Sequence, residues 1–184
     1  MGFHTFDPDR AEKLEDESRY RYVSREELVG NLDPTGDDVV ADLGSGTGFY
    51  TDDVAPFVGR LHAVDVQEAM HDQYREKGVP DNVSLVTADV SDLPFDDGEL
   101  DAAFSTMTFH EFAGAAALEE VARVLDDGGR FVVADWTATG AGESGPPVEE
   151  RYDLDGARER VTDAGLTVEY ATERPETYLF VASR

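Results

Sequence analysis

The chain contains no cysteine and only two lysines, Lys13 and Lys77, among its 184 residues. The first absence excludes disulfides and thiolate metal sites. The second is one side of a large imbalance, 41 Asp and Glu against 15 Lys and Arg, for a formal net charge of −26. A surface this acidic repels phosphate backbones and offers no basic stripe, which argues against a nucleic-acid partner. No apolar run approaches the roughly 20 residues that cross a bilayer, so no membrane partner is expected. Residues 1–10 carry charge and no apolar signal-peptide core, so the protein is expected in the cytoplasm. The acids are interleaved with periodic apolar residues, unlike a disordered acidic tail. Their density points to adaptation to a high-salt cytoplasm, where a Debye length of about 3 Å at 1 M salt screens self-repulsion.

What is present is organised around Val39-Val40-Ala41-Asp42-Leu43-Gly44-Ser45-Gly46-Thr47-Gly48. A short apolar run stops at three glycines spaced two apart, and the following residues open a helix. This is the pattern of a buried parallel strand, a tight turn and a helix returning to the sheet. Glycine there allows positive φ and lets a ligand lie on bare backbone at a helix start. The dinucleotide fingerprint G-x-G-x-x-G fails, because its third glycine falls on Phe49.

Around this stretch the chain alternates strands and helices. Residues 1–23 are polar with scattered aromatics. Ser24-Arg25-Glu26-Glu27 matches a capping box, Ser24 capping and Glu27 reaching back, for a helix to about Leu32. Strands are expected at residues 39–43, 60–65, 83–87, 100–105 and 131–136. Helices are expected from Phe49 to about Val58 and at residues 67–77, 114–126 and 147–164. Residues 137–147 form a Gly-, Ser- and Pro-rich loop. The runs 166–171 and 178–182 are joined too briefly for a crossover and must pair antiparallel. The expected fold is α/β: one Rossmann-like doubly wound sheet of seven strands, mostly parallel, with a C-terminal antiparallel hairpin and helices on both faces. Residues 1–33 form an N-terminal helical segment and residues 34–184 the domain itself.

The spacing D-x-G-x-G-x-G resembles the first motif of class I S-adenosylmethionine-dependent methyltransferases, and the terminal hairpin is a second likeness. The resemblance covers residues 34–184 and is most specific in residues 39–110. It implies S-adenosylmethionine as cofactor, transfer of its methyl group to a small-molecule substrate, and a monomer or homodimer. Asp42 then orients the glycine turn, and Gly44, Ser45, Gly46 and Gly48 supply close approach of backbone to the cofactor. Asp65, twenty-one positions after Gly44 (65 − 44) at the end of the second strand, meets the ribose hydroxyls or caps the next helix. Val66 and Met70 pack on the adenine or belong to the core. Asp89 and Val90 meet the adenine edge, unless Asp89 is a loop acid. The carbonyls near Gly44 and Ser105-Thr106 receive the ammonium.

His110 leaves the fourth strand at the edge where substrates of such folds bind. It is the candidate catalytic base, or else a pocket wall. No metal site is expected, because His110 and Glu111 are adjacent and no further ligands recur at metal spacing. The opening His4-Thr5-Phe6-Asp7-Pro8 and the segment Phe109-His110-Glu111 look most like the ubiquinone/menaquinone-biosynthesis type. In the family, elements before the first strand cover the cofactor, so residues 1–33 are expected to act as a lid. Two other readings stand beside this one: a cofactor-binding activator module without turnover, and a nicotinamide oxidoreductase. Absence of cysteine speaks against thiol-based arsenite chemistry.

Overall fold

The computed structural model describes residues 6–184, so His4 and Thr5 of the opening motif lie outside the described residues. A seven-stranded sheet runs in the order β3-β2-β1-β4-β5-β7-β6. Its strands are β1 (Val39–Leu43), β2 (Arg60–Asp65), β3 (Val83–Thr87), β4 (Leu100–Thr106), β5 (Leu125–Trp136), β6 (Thr167–Glu173) and β7 (Thr177–Ser183). The β1–β2, β1–β4, β2–β3 and β4–β5 pairs are parallel, and β7 runs antiparallel to both β5 and β6. This is the expected Rossmann-like sheet with its terminal hairpin. The strand order reverses between β1 and β4, which opens a crevice at their carboxyl ends.

Period-two alternation divides the apolar residues between two cores. Ala41 and Leu43 of β1 with Phe131 and Val133 of β5 face one layer. There α5 (Ala115–Val124) contributes Leu118, Val121 and Val124, and α6 (Leu154–Asp163) contributes Ala157 and Val161. Val40, Val132 and Ala134 face the other layer, filled by Leu28 and Leu32 of α1 (Arg25–Leu32) and by Tyr50 and Val54 of α2 (Phe49–Val54). The helix α3 (Glu68–Lys77) buries Met70, His71 and Tyr74, and the short α4 (Phe109–Phe112) follows β4.

Several boundaries differ from the sequence pattern, each for a local reason. Ser24 Oγ accepts from the Glu27 amide at 3.1 Å, as a capping box requires. The Glu27 carboxylate, however, accepts from Arg174 Nη2 at 2.6 Å, so the long-range ion pair takes the group expected to close the box. The first Rossmann helix ends at Val54 and continues as a 3-10 turn over Ala55–Phe57, because Pro56 has no N–H to extend the α-ladder. The helix expected to Asp126 stops at Val124, since Leu125 is extended and pairs with Leu100 at the start of β5. The helix expected from Pro147 is two pieces. A 3-10 turn covers Val148–Glu150, and α6 starts only after Asp153, whose Oδ1 accepts from the Gly156 amide at 2.7 Å. Between them Arg151 is buried and donates to the carbonyls of Pro146 and Thr137, which fixes the loop.

Candidate active site

The glycine turn after β1 is built as a platform. Gly44, Gly46 and Gly48 all have positive φ, at 83°, 55° and 83°. A Cβ on Gly48 would sit inside the Tyr74 ring, and one on Gly44 would collide with Thr108. Two of the three glycines are therefore required by packing as well as by backbone conformation. Across from the turn, Asp65 at the end of β2 accepts from the Gly46 amide at 2.9 Å and from the Gln67 amide at 2.8 Å. Burial pushes the Asp65 carboxyl up, and these two N–H donors partly oppose it.

A cleft of about 1100 Å³ lies over this platform. Its floor includes Gly44, Ser45, Gly46, Asp65, Val66, Met70, Asp89, Val90, Thr106 and His110. Its roof is the N-terminal segment, two 3-10 stretches at Pro8–Glu15 and Glu17–Arg21. Gln67 Nε2 donates to the Phe6 carbonyl at 3.0 Å, and Glu15 accepts from Thr47 Oγ1 and pairs with Lys77 at 3.2 Å. Arg19 sits 5.1 and 5.0 Å over the Phe49 and Tyr50 rings, and burial lowers its pKa while leaving it a cation.

Toward β5 the cleft ends in a second cluster. His110 Nδ1 lies 3.0 Å from Asp135 Oδ2, and the His110 amide donates to the same oxygen at 2.6 Å. Asp135 is fully buried at the end of β5. A carboxylate only accepts, so Nδ1 carries the proton in this contact and Nε2 turns its lone pair to the cleft. Burial pulls the imidazole pKa down, but the charge and hydrogen bond of Asp135 outweigh it and the net direction is up. Glu111 Oε1 stands 3.9 Å from His110 Nε2, and burial raises its carboxyl to about 7.

A family model described as "Methyltransferase domain" matches residues 41–133, half of the chain. A crystal structure of an S-adenosylmethionine-dependent methyltransferase from Aquifex aeolicus superposes with a TM-score of 0.89 at 30% identity, covering 97% of this chain and 99% of that one. This chain belongs to the class I S-adenosylmethionine-dependent methyltransferases. Demethylmenaquinone methyltransferase of Corynebacterium kroppenstedtii is 35% identical over 107 residues, 58% of this chain and 45% of that protein. Sarcosine/dimethylglycine N-methyltransferase of Halorhodospira halochloris is 32% identical over 133 residues, 69% of this chain and 47% of that protein. The chain spans half or less of the length of these curated relatives.

The methyl donor of class I methyltransferases is S-adenosylmethionine, and the residues present fit it. Ser45 Oγ is buried in the turn without a hydrogen-bond partner among the described residues, and the turn beside it exposes glycine backbone to the cleft. Asp42 and Gly48 lie behind the cleft wall. Asp42 Oδ2 accepts from Thr51 Oγ1 at 2.6 Å, which ties the end of β1 to α2. Asp89 borders the cleft but its Oδ1 accepts from the amide and hydroxyl of Ser91, which together lower its pKa. Among the described residues, no group of three or more His, Asp or Glu is placed to hold a metal ion. No helix among them is long and apolar enough to cross a membrane.

In this methyltransferase-family chain, sequence reasoning passed over Asp135 and Arg19, and weighed Glu111 only for a metal site. Asp135 had a signal: one acid inside the otherwise apolar run Phe131-Val132-Val133-Ala134 and Trp136. Arg19 had none, since its stretch is 3-10 and lacks a helical period.

Proposed function

We propose that the protein transfers the methyl group of S-adenosylmethionine to a small-molecule acceptor at the His110 end of the cleft. The observation that carries this reading is the pairing of a ligand-accessible glycine turn with the Asp65 carboxylate, in one cleft that continues to His110. Bound there, S-adenosylmethionine supplies a methyl group on a positively charged sulfur. Asp65 has lone pairs left beyond the Gly46 and Gln67 amides and accepts from the ribose hydroxyls. Val66 and Met70 form an apolar wall for the adenine, and Asp89 with Val90 lies at its edge. The backbone at Gly44, Ser45 and Gly46 and the end of β4 at Thr106 hold the methionine end, with Arg19 as the cation for its carboxylate. Residues 6–23 serve as a lid that excludes water, and Asp42 and Gly48 shape the turn from behind. Among relatives, the sarcosine/dimethylglycine N-methyltransferase and the demethylmenaquinone methyltransferase both act on small molecules by name, which supports an acceptor of that size.

Calorimetric titration with S-adenosylmethionine and S-adenosylhomocysteine in 3 M KCl tests the reading. Both are expected to bind, and Asp65→Ala is expected to weaken binding at least tenfold, since a hydrogen bond to a charged group contributes about 1.5–3 kcal/mol. An unchanged dissociation constant in that variant removes Asp65 from the site.

A further inference from the structure

The basic residues of the cleft are confined to one element. Arg10, Lys13 and Arg19 all come from the N-terminal segment. Beyond β4 and β5 the described wall carries His110, Glu111, Glu143 and Glu150, and no Lys or Arg. An acidic wall is unremarkable on so acidic a protein, but Glu111 is not a solvated surface acid. Its side chain is 20% exposed, against 80% for Asp97 and 93% for Asp155. Its one ion-pairing contact among the described residues is His110 Nε2, at 3.9 Å and beyond hydrogen-bond reach. His110 is itself engaged by Asp135 on its other nitrogen. A half-buried carboxylate facing a cleft with so weak a partner is a site that a ligand cation completes.

We infer that the acceptor is an amine carrying an apolar substituent, held as its ammonium by Glu111 and relieved of one proton by His110 Nε2. This rests on the methyl-transfer reading above and narrows it. The cleft is also lined by Tyr22, Met107, Phe112 and Trp136, which suit an apolar substituent. Anionic acceptors such as carboxylates and phosphates are repelled by the same wall. An ammonium has no lone pair, so a base is obligatory for this acceptor class and His110 is placed for it. One N–H proton passes to Nε2, leaving the electron pair on nitrogen. The N–C bond to the methyl then forms as the S–C bond breaks, and that bond's electron pair stays on sulfur. Asp135 compensates the imidazolium charge. Burial sets the Glu111 carboxyl near 7, and an approaching ammonium pulls it down, so ligand binding itself fixes its ionised state.

The test uses the full chain in 3 M KCl at pH 8.5, with benzylamine and N-methylbenzylamine as probes and benzyl alcohol, phenol and phenylacetate as controls. Binding to the S-adenosylhomocysteine complex is read by calorimetry, and methylation by mass spectrometry. The amines are expected to bind and to be methylated in preference to the controls. Glu111→Gln is expected to weaken amine binding at least tenfold with the affinities for S-adenosylmethionine and S-adenosylhomocysteine unchanged, which also shows that the variant is folded. Failure of both amines while S-adenosylhomocysteine binds overturns the inference and leaves the methyl-transfer reading intact. Weaker binding of S-adenosylmethionine but not of S-adenosylhomocysteine in the variant also overturns it, because Glu111 would then serve the donor's sulfonium. Binding of neither adenosyl compound by the wild type overturns both readings.

Discussion

Asp42, at the end of β1, links stability to pH apart from any ligand. It is buried, Thr51 holds one oxygen, and Oδ1 has no hydrogen-bond partner among the described residues. Burial drives its pKa from 3.8 to about 7, against the pull of Thr51; Asp65 adds to the rise and Arg19 opposes it. The folded chain therefore holds this proton more tightly than the unfolded one. The resulting stability is complete below pH 3.8 and is lost as pH rises to about 7, a span worth up to about 4 kcal/mol. Asp42→Asn keeps an acceptor for Thr51 and cannot ionise. It is expected to match the wild type only toward pH 3, to exceed it by about 1.5 kcal/mol at pH 5 and by up to about 4 kcal/mol at pH 8, measured by guanidinium unfolding. Parallel pH curves for the two proteins would show that folding does not raise the Asp42 pKa.

Elements were legible in the sequence wherever one short stretch held the whole reason for them. The β1–turn–α2 unit combines an apolar run with three glycines, and the β6–β7 hairpin follows from a connection too short for a helix. The roof of the cleft was not legible as structure, because its two 3-10 stretches are held by distant partners. Glu15 meets Lys77, 62 positions away, and Tyr50 Oη donates to the Arg19 and Val23 carbonyls. The His110–Asp135 pair arises likewise from register. Thr106 of β4 lies beside Ala134 of β5, so the chain leaving β4 emerges next to Asp135. Glu15 also provides a test of the roof. Its carboxylate joins Thr47 on the turn to Lys77 on α3, and Lys77 also pairs with Asp52 at 2.8 Å. Loss of one part-exposed pair and one hydrogen bond is expected to speed hydrogen exchange about threefold to tenfold. In Glu15→Ala that acceleration is expected in residues 8–21, with the β1, β4 and β5 amides unchanged. Exchange that stays at the wild-type rate in residues 8–21 would mean that other contacts hold the roof.

Across the whole molecule the dominant fact is the net charge of −26, because 41 acids face only 15 Lys and Arg and ion pairs can neutralise only a minority of them. Acids occupy even helix C-termini, where the helix dipole disfavours them. Asp163 is the last residue of α6, and Glu76 lies in the last turn of α3, both exposed. Salt adaptation, expected from this charge, would have a specific electrostatic signature. The unfolding midpoint is expected to rise from 0.1 M to 3 M KCl, but salting-out of apolar surface would produce the same trend. The variant Glu76→Lys/Asp163→Lys separates the two causes. Each reversal removes self-repulsion and places a cation at a helix C-terminus, worth about 0.3–1 kcal/mol at low ionic strength. For a chain of this size the pair is expected to raise the midpoint by about 1–8 °C at 0.1 M KCl. At 3 M the Debye length falls below about 3 Å, so at least half of that gain should vanish. A gain of equal size at both concentrations would mean that repulsion among these carboxylates does not set the salt dependence, and that apolar burial does.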